Sequence, residues 1–254
     1  YPPLYGVVTA GIGLNIDLAF GYDTQGIMDF AEGGFQNPLD LLSGFFISDT
    51  DIPDGSFGVD VPELTFKGTI GVGAELNAGI ASAGVNANII LTVNFDLYDP
   101  NHDGKVRISE LVSTFLFEFR NGSPALAPIA IFDVFGDVSF QLTAFIKFLF
   151  AKFEFDITPP IVLFEFSIPF DREPILATER GDGTVLLNIG PNAAARQNGD
   201  VRDIAEEIFI GDGGAGKVAI WAPDFGVPQS AAQLYSIGTG KAVVGFGGEG
   251  DDII

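Results

Sequence analysis

Apolar and polar residues alternate along much of the first two thirds of the chain, with the period of two that marks a strand with one buried face. Residues 6–22, GVVTAGIGLNIDLAFGY, place Val8, Ala10, Ile12, Leu14, Ile16, Leu18 and Phe20 on one side. Thr9, Gly11, Gly13, Asn15 and Asp17 take the other. Residues 64–80 alternate again, with Leu64, Phe66, Ile70, Val72 and Leu76 in phase. Near Ala81–Gly84 the phase slips by one, and from Val85 the set becomes Ala87, Ile89, Leu91, Val93, Phe95 and Leu97. A one-residue slip exchanges the two faces, so a bulge or tight turn is expected there. Residues 137–157 carry the longest pattern, Val138, Phe140, Leu142, Ala144, Ile146, Phe148 and Phe150, with a second slip beyond Ala151 towards Phe153, Phe155 and Ile157 that again implies a bulge. Thr158-Pro159-Pro160 ends it, because proline donates no ladder hydrogen bond.

Helical signals are few. NPLDLLSG at 37–44 offers Asn37 as N-cap, Pro38 at the first helical position and Gly44 at the end. ELVSTFLFEFR puts Leu111, Val112, Phe115, Leu116 and Phe119 at helical spacing before Asn121-Gly122. Residues 1–174 therefore predict one large, curved antiparallel sheet domain with a few short helices, its Phe-rich face covered. Eleven of the 25 phenylalanines fall within 131–170, which places that face late in the domain. Beyond Pro174 shorter strand-like pieces (TVLLNIG, EEIFIGD, GKVAIWA, AQLYSIG, KAVVGFG) are separated by Gly- and Asp-rich turns. Residues 175–254 predict a smaller β sandwich or a solenoid-like segment. The fold class is mainly β.

Composition narrows the chemistry. The 254 residues carry a net charge of −22, and residues 1–66 hold ten acids and no Lys or Arg. Such a surface repels nucleic-acid phosphates and anionic lipid and attracts cations. Without cysteine there are no disulfides, no thiol catalysis and no thiolate metal site. No apolar run approaches the roughly 18 residues of a spanning helix, so no membrane span is expected. His102 is the one histidine, which leaves no basis for a Ser-His-Asp arrangement or a His-ligated zinc site. No pair of carboxylates stands out as a glycosidase pair, and the chain is not expected to be an enzyme.

DPNHDGKVRISE, residues 99–110, follows the twelve-residue calcium pattern. Calcium takes six to eight oxygens, and a sharp turn must gather them. Asp99, Asn101 and Asp103 supply side-chain oxygens at alternate positions, and Gly104 permits the turn. Lys105 offers its backbone carbonyl, Val106 is the apolar anchor, a water is expected beside Arg107, and Glu110 closes the site. The stretch resembles the loop of EF-hand and dockerin-type modules. A strand precedes it where an EF-hand has a helix, which predicts a structural brace. The terminal GGEGDDII resembles the nonapeptide calcium repeat of RTX proteins, with Gly247, Gly248 and Gly250 in the turn and Asp252 as the ligand. Acidic turns at 49–54, 182 and 212 read as solvated turns. GDGGAGK at 211–217 lacks the spacing of a nucleotide loop.

These resemblances imply a fragment of a large secreted, calcium-binding bacterial protein of the RTX type. A chain that starts at Tyr1 with no basic-then-apolar leader is expected to be a processed product or a piece. The expected function is a calcium-stabilised structural or adhesive module, extracellular or on the cell surface, with Ca2+ as its cofactor. Its expected partners are the rest of a larger parent chain and a cell-surface or matrix component. The alternative is an extracellular carrier of an apolar ligand along the Phe-rich sheet face.

Overall fold

The computed structural model describes residues 3–52 and 58–254. The chain is mainly β, with 46% of residues in strands and 17% helical. It divides into two compact units: 1–21, 46–106 and 132–169 form the first, and 22–45, 107–131 and 170–254 the second.

The first unit is built on a six-stranded antiparallel sheet. Its strands are β1 (Leu4–Ile16), β4 (Leu64–Asn77), β5 (Ala81–Leu97), β7 (Phe132–Phe148), β8 (Ala151–Asp156) and β9 (Ile161–Ile168). The order is β1–β4–β5–β7, and β8 and β9 share the far edge of β7. A three-stranded sheet joins β2 (Ala19–Tyr22), β3 (Phe45–Ser48) and β6 (Lys105–Arg107) in the order β2–β3–β6.

The register follows the alternation read from the sequence. Ala10, Ile70, Ile89, Phe140 and Ile161 are successive cross-strand partners, so their side chains form one apolar row. The first phase slip is the tight turn, one of the two alternatives expected there, and the second, where a bulge is expected, is also a chain reversal. The first lies at Ala78–Ile80, where Gly79 has φ 85° and Asn77 pairs with Ser82. The second is a two-residue turn at Leu149-Phe150, with Leu149 at φ 54° and Phe148 paired with Ala151. The expected long strand 137–157 is therefore a hairpin. A true bulge occurs in β9, where Phe164 pairs with Val138 and Val162 with Ser139. At Thr158-Pro159-Pro160 the chain shifts from β8 to β9 without leaving the edge, since the Thr158 hydroxyl accepts from the Leu142 N–H at 3.1 Å.

Which face is covered differs from expectation. The apolar rows are open towards β1, where Val8 is 78% exposed, Ile12 81% and Ile70 65%, while Leu97 and Val134 of the same face are buried. On the opposite, polar face Asn86, Asn88 and Ser139 are buried. Small residues there explain the cover. Gly71, Gly73 and Gly84 leave room for the side chains of Asn88, Asn86 and Phe145 to lie against the backbone, where a Cβ would collide with them. No helix among the described residues is long and apolar enough to cross a membrane.

The second unit holds two short helices, α1 (Gln25–Glu32) and α2 (Ile108–Asn121), and six short strands. These are β10 (Ala177–Glu179), β11 (Val185–Leu187), β12 (Phe209–Asp212), β13 (Lys217–Trp221), β14 (Gln233–Ser236) and β15 (Val243–Val244). They form the sheets β10–β11–β15, whose last pair is parallel, and β12–β13–β14. The 3-10 turn Pro38–Gly44 is capped as its sequence predicts, the Asn37 carboxamide accepting from the Leu39 N–H at 3.2 Å. Leu176, Val185, Leu187, Ile189, Ile208, Ile220 and Val227 make the core, joined by Phe117 of α2. The buried face of α2 is Thr114, Phe117 and Glu118, while Val112, Leu116 and Phe119 of the expected apolar stripe are exposed. Glu118 outweighs hydrophobic spacing here: its carboxylate accepts from the N–H groups of Ser123 and Asp171, both at 2.8 Å.

Candidate metal centre

The loop after β5 is organised by its own acidic side chains. Asp99, 5% exposed, accepts from Asn101 N–H at 3.2 Å and His102 N–H at 3.0 Å on one oxygen, and from Gly104 N–H at 2.7 Å on the other. Asn101 Oδ1 accepts from Asp103 N–H, and Asp103 Oδ1 from Lys105 N–H, each at 2.9 Å. Each of the three side chains thus bonds backbone N–H groups two to five residues on, with Asp99 buried and Asn101 and Asp103 exposed. His102 and Gly104 make the loop's turn at φ 55° and 74°. Only glycine adopts such a value without steric penalty, so Gly104 is the better fitted of the two. Val106 is 1% exposed and anchors the loop's exit. The Lys105 ammonium lies 4.6 Å from the centre of the Phe46 ring.

Glu110 belongs to the second unit, in the first turn of α2. Its Oε2 accepts from the Arg107 N–H at 2.7 Å, and the Arg107 guanidinium donates to Asp23 at 2.9 Å. Asp252 is also in the second unit and accepts from Glu206 N–H at 3.0 Å and Gly248 N–H at 3.2 Å. Its Glu206 bond is the main cause of a carboxyl held below the usual range. The RTX-like terminus is thus tied to the 203–206 segment, where Asp203 accepts from Glu249 N–H at 2.8 Å.

A second acidic group lies in the first unit beside the loop. Asp49 follows β3, and its N–H donates to the Gly104 carbonyl at 3.0 Å. Thr50 bridges Asp60, which brings two chain segments side by side, and Asp96 projects from the end of β5. One carboxylate oxygen from each of Asp49, Asp60 and Asp96 lies within 4.8 Å of the other two. Glu63, 2% exposed, accepts from the Leu97 N–H at 2.6 Å. Burial, then the charges of Asp60, Glu63, Asp99 and Asp96, pushes the Asp49 carboxyl up to about 9. Burial likewise raises Asp96 to about 7, helped by Asp60 and Glu63, and Glu63 to about 7 against its Leu97 hydrogen bond. Asp99 is raised by burial too, opposed by the Gly104 N–H.

Sequence reasoning passed over Asp60, Asp96 and Glu63 because their grouping depends on three distant segments. One local sign existed: Asp96 is the sole charged residue of the seventeen in β5. The other acidic turns are self-contained. Asp51 accepts from Val59 N–H, Asp182 from the Thr184 N–H and hydroxyl, and Asp212 from Gly214 N–H. Asp54 lies outside the described residues. No protein-family model, curated protein or solved structure matches the chain.

Proposed function

We propose that the chain is a calcium-stabilised structural or adhesive module of a larger extracellular protein of the RTX type. The observation that carries the reading is the loop after β5, in which Asp99, Asn101 and Asp103 are set at alternate positions by their own hydrogen bonds before Gly104. Asp99, Asn101, Asp103, the Lys105 carbonyl and Glu110 are the ligands the twelve-residue pattern assigns to Ca2+. Asp252 is the ligand assigned by the RTX resemblance. Charge supports the reading. A chain of net charge −22 repels itself, and a bound divalent cation reduces that repulsion. The same charge disfavours nucleic acid as a partner. Calorimetric titration of metal-stripped protein with CaCl2 tests it, with Asp103→Ala as the comparison. Identical heats for the two chains overturn the calcium loop.

One observation favours a second reading, a carrier of an apolar ligand. The rows through Val8, Ile12, Ile70 and Val72 form a continuous apolar surface that stays exposed. A solvatochromic hydrophobic dye that binds the parent and not the pair Ile12→Ser, Ile70→Ser supports the carrier. Equal binding by both overturns it.

A further inference from the structure

We propose that Asp49, Asp60 and Asp96 form a second cation site, separate from loop 99–110 and suited to a hard divalent cation of the size of Ca2+. Three carboxylate oxygens converge within 4.8 Å of one another. Three atoms mutually within 4.8 Å lie no more than about 2.8 Å from a common point, so a small inward side-chain adjustment brings all three to calcium–oxygen bonding distance of one ion. The set is oxygen-only, without the nitrogen or sulfur that softer metals favour.

Two observations beyond the acidity point to a ligand. Asp49 is 5% exposed, and its Oδ1 is buried without a hydrogen-bond partner. Asp96 Oδ1 is in the same condition. A buried polar atom left unpaired is costly, and a buried carboxylate oxygen costs more than a neutral group. A cation held by the three side chains offsets the charge that these buried, incompletely satisfied carboxylates carry. Asp60 is exposed and gives the ion access from solvent. Glu63 adds a further buried carboxyl group near Asp49 and Asp96, its position set by the Leu97 N–H.

The three acids come from separate elements: the exit of β3, the segment bridged to Thr50, and the end of β5. A solvated turn brings together acids a few residues apart; here the folded chain brings together acids 11 and 36 positions apart in sequence, counted from Asp49 to Asp60 and from Asp60 to Asp96. The site stands whether or not loop 99–110 binds calcium.

The test is calcium stoichiometry of the full chain by equilibrium dialysis and calorimetry after metal stripping. The variants are Asp60→Asn, Asp49→Asn with Asp96→Asn, and Asp103→Ala, each checked for fold by circular dichroism. Asp60→Asn is the exposed, shape-preserving change that stands if the buried double variant fails to fold. One equivalent that is retained by Asp103→Ala and weakened at least tenfold by Asp60→Asn supports the site, even where the loop itself binds nothing. Titrations of Asp60→Asn and the parent that superimpose overturn it, as does a parent that binds no calcium.

Discussion

The backbone N–H of Asp49 donates to the carbonyl oxygen of Gly104 across 3.0 Å. This bond joins the acidic triad to the turn of loop 99–110, since Gly104 also donates its own N–H to Asp99. A cation at either place fixes a backbone the other depends on. The two are expected to bind cooperatively, and a double-mutant cycle between Asp60→Asn and Asp103→Ala measures the coupling.

Calcium is expected to raise the melting temperature, because an ion that binds only the folded form stabilises it by about 2.7 kcal/mol at a hundredfold excess over Kd. In Asp103→Ala the part of that shift contributed by the loop disappears. Differential scanning calorimetry with and without chelator checks this. No increase in apolar-dye binding should accompany calcium addition, since a strand and not a helix precedes the loop.

In chelator, stability is expected to fall as pH rises from about 5 to 8. Asp49 has its carboxyl pushed from 3.8 to about 9, and Asp96 and Glu63 to about 7. Asp60, Asp99, Asp17 and Asp133 are the acids that face them. Between the ordinary and raised values the folded chain holds more protons than the unfolded chain. Stability therefore falls through that window as the protons leave. Urea unfolding at a series of pH values checks the slope, which is expected to flatten in Asp49→Asn and in saturating calcium.

Glu63 separates hydrogen bonding from charge. Glu63→Ala leaves the Leu97 N–H without its 2.6 Å acceptor and is expected to cost about 1–3 kcal/mol. Glu63→Gln keeps an acceptor oxygen and removes a buried charge, so in chelator at pH 8 it is expected to be neutral or stabilising. Chemical denaturation of the two variants side by side distinguishes them.

In the second unit Arg196 is fully buried and donates to Glu206 at 3.0 Å, to the Asn188 carbonyl at 3.0 Å and to the Arg202 carbonyl at 2.6 Å. Arg196→Ala leaves Glu206 buried and uncompensated, with an expected loss of about 3–5 kcal/mol. Arg196→Met with Glu206→Leu is expected to recover part of that loss, read as a shift of the urea midpoint.

The alternation of side chains carried the sheet into the sequence. Val8, Ile70, Ile89 and Phe140 were legible as members of one face because a strand's period is fixed by its pleat. The turn at Leu149-Phe150 was not, since neither residue is a turn former and the positive φ of Leu149 is imposed by the hairpin. Nor was the exposure of the apolar face. Periodicity tells which residues share a side and is silent on what covers it. Loop 99–110 was readable because its spacing is local, whereas Asp49, Asp60 and Asp96 meet only through the register of β5 and the Thr50–Asp60 bridge.

The register of the central strands also sets an order of assembly. β4 and β5 join through a turn at Gly79, so their fourteen paired positions zip from residues already close in sequence. β5 and β7 meet first at Leu97 and Phe132, across a span that includes the whole of α2. Closing that span costs chain entropy before any ladder bond offsets it, and non-local pairing of this kind slows folding. The β4–β5 hairpin is thus expected to form first, with the docking of β7 as the slower step that ordering of residues 98–131 would accelerate.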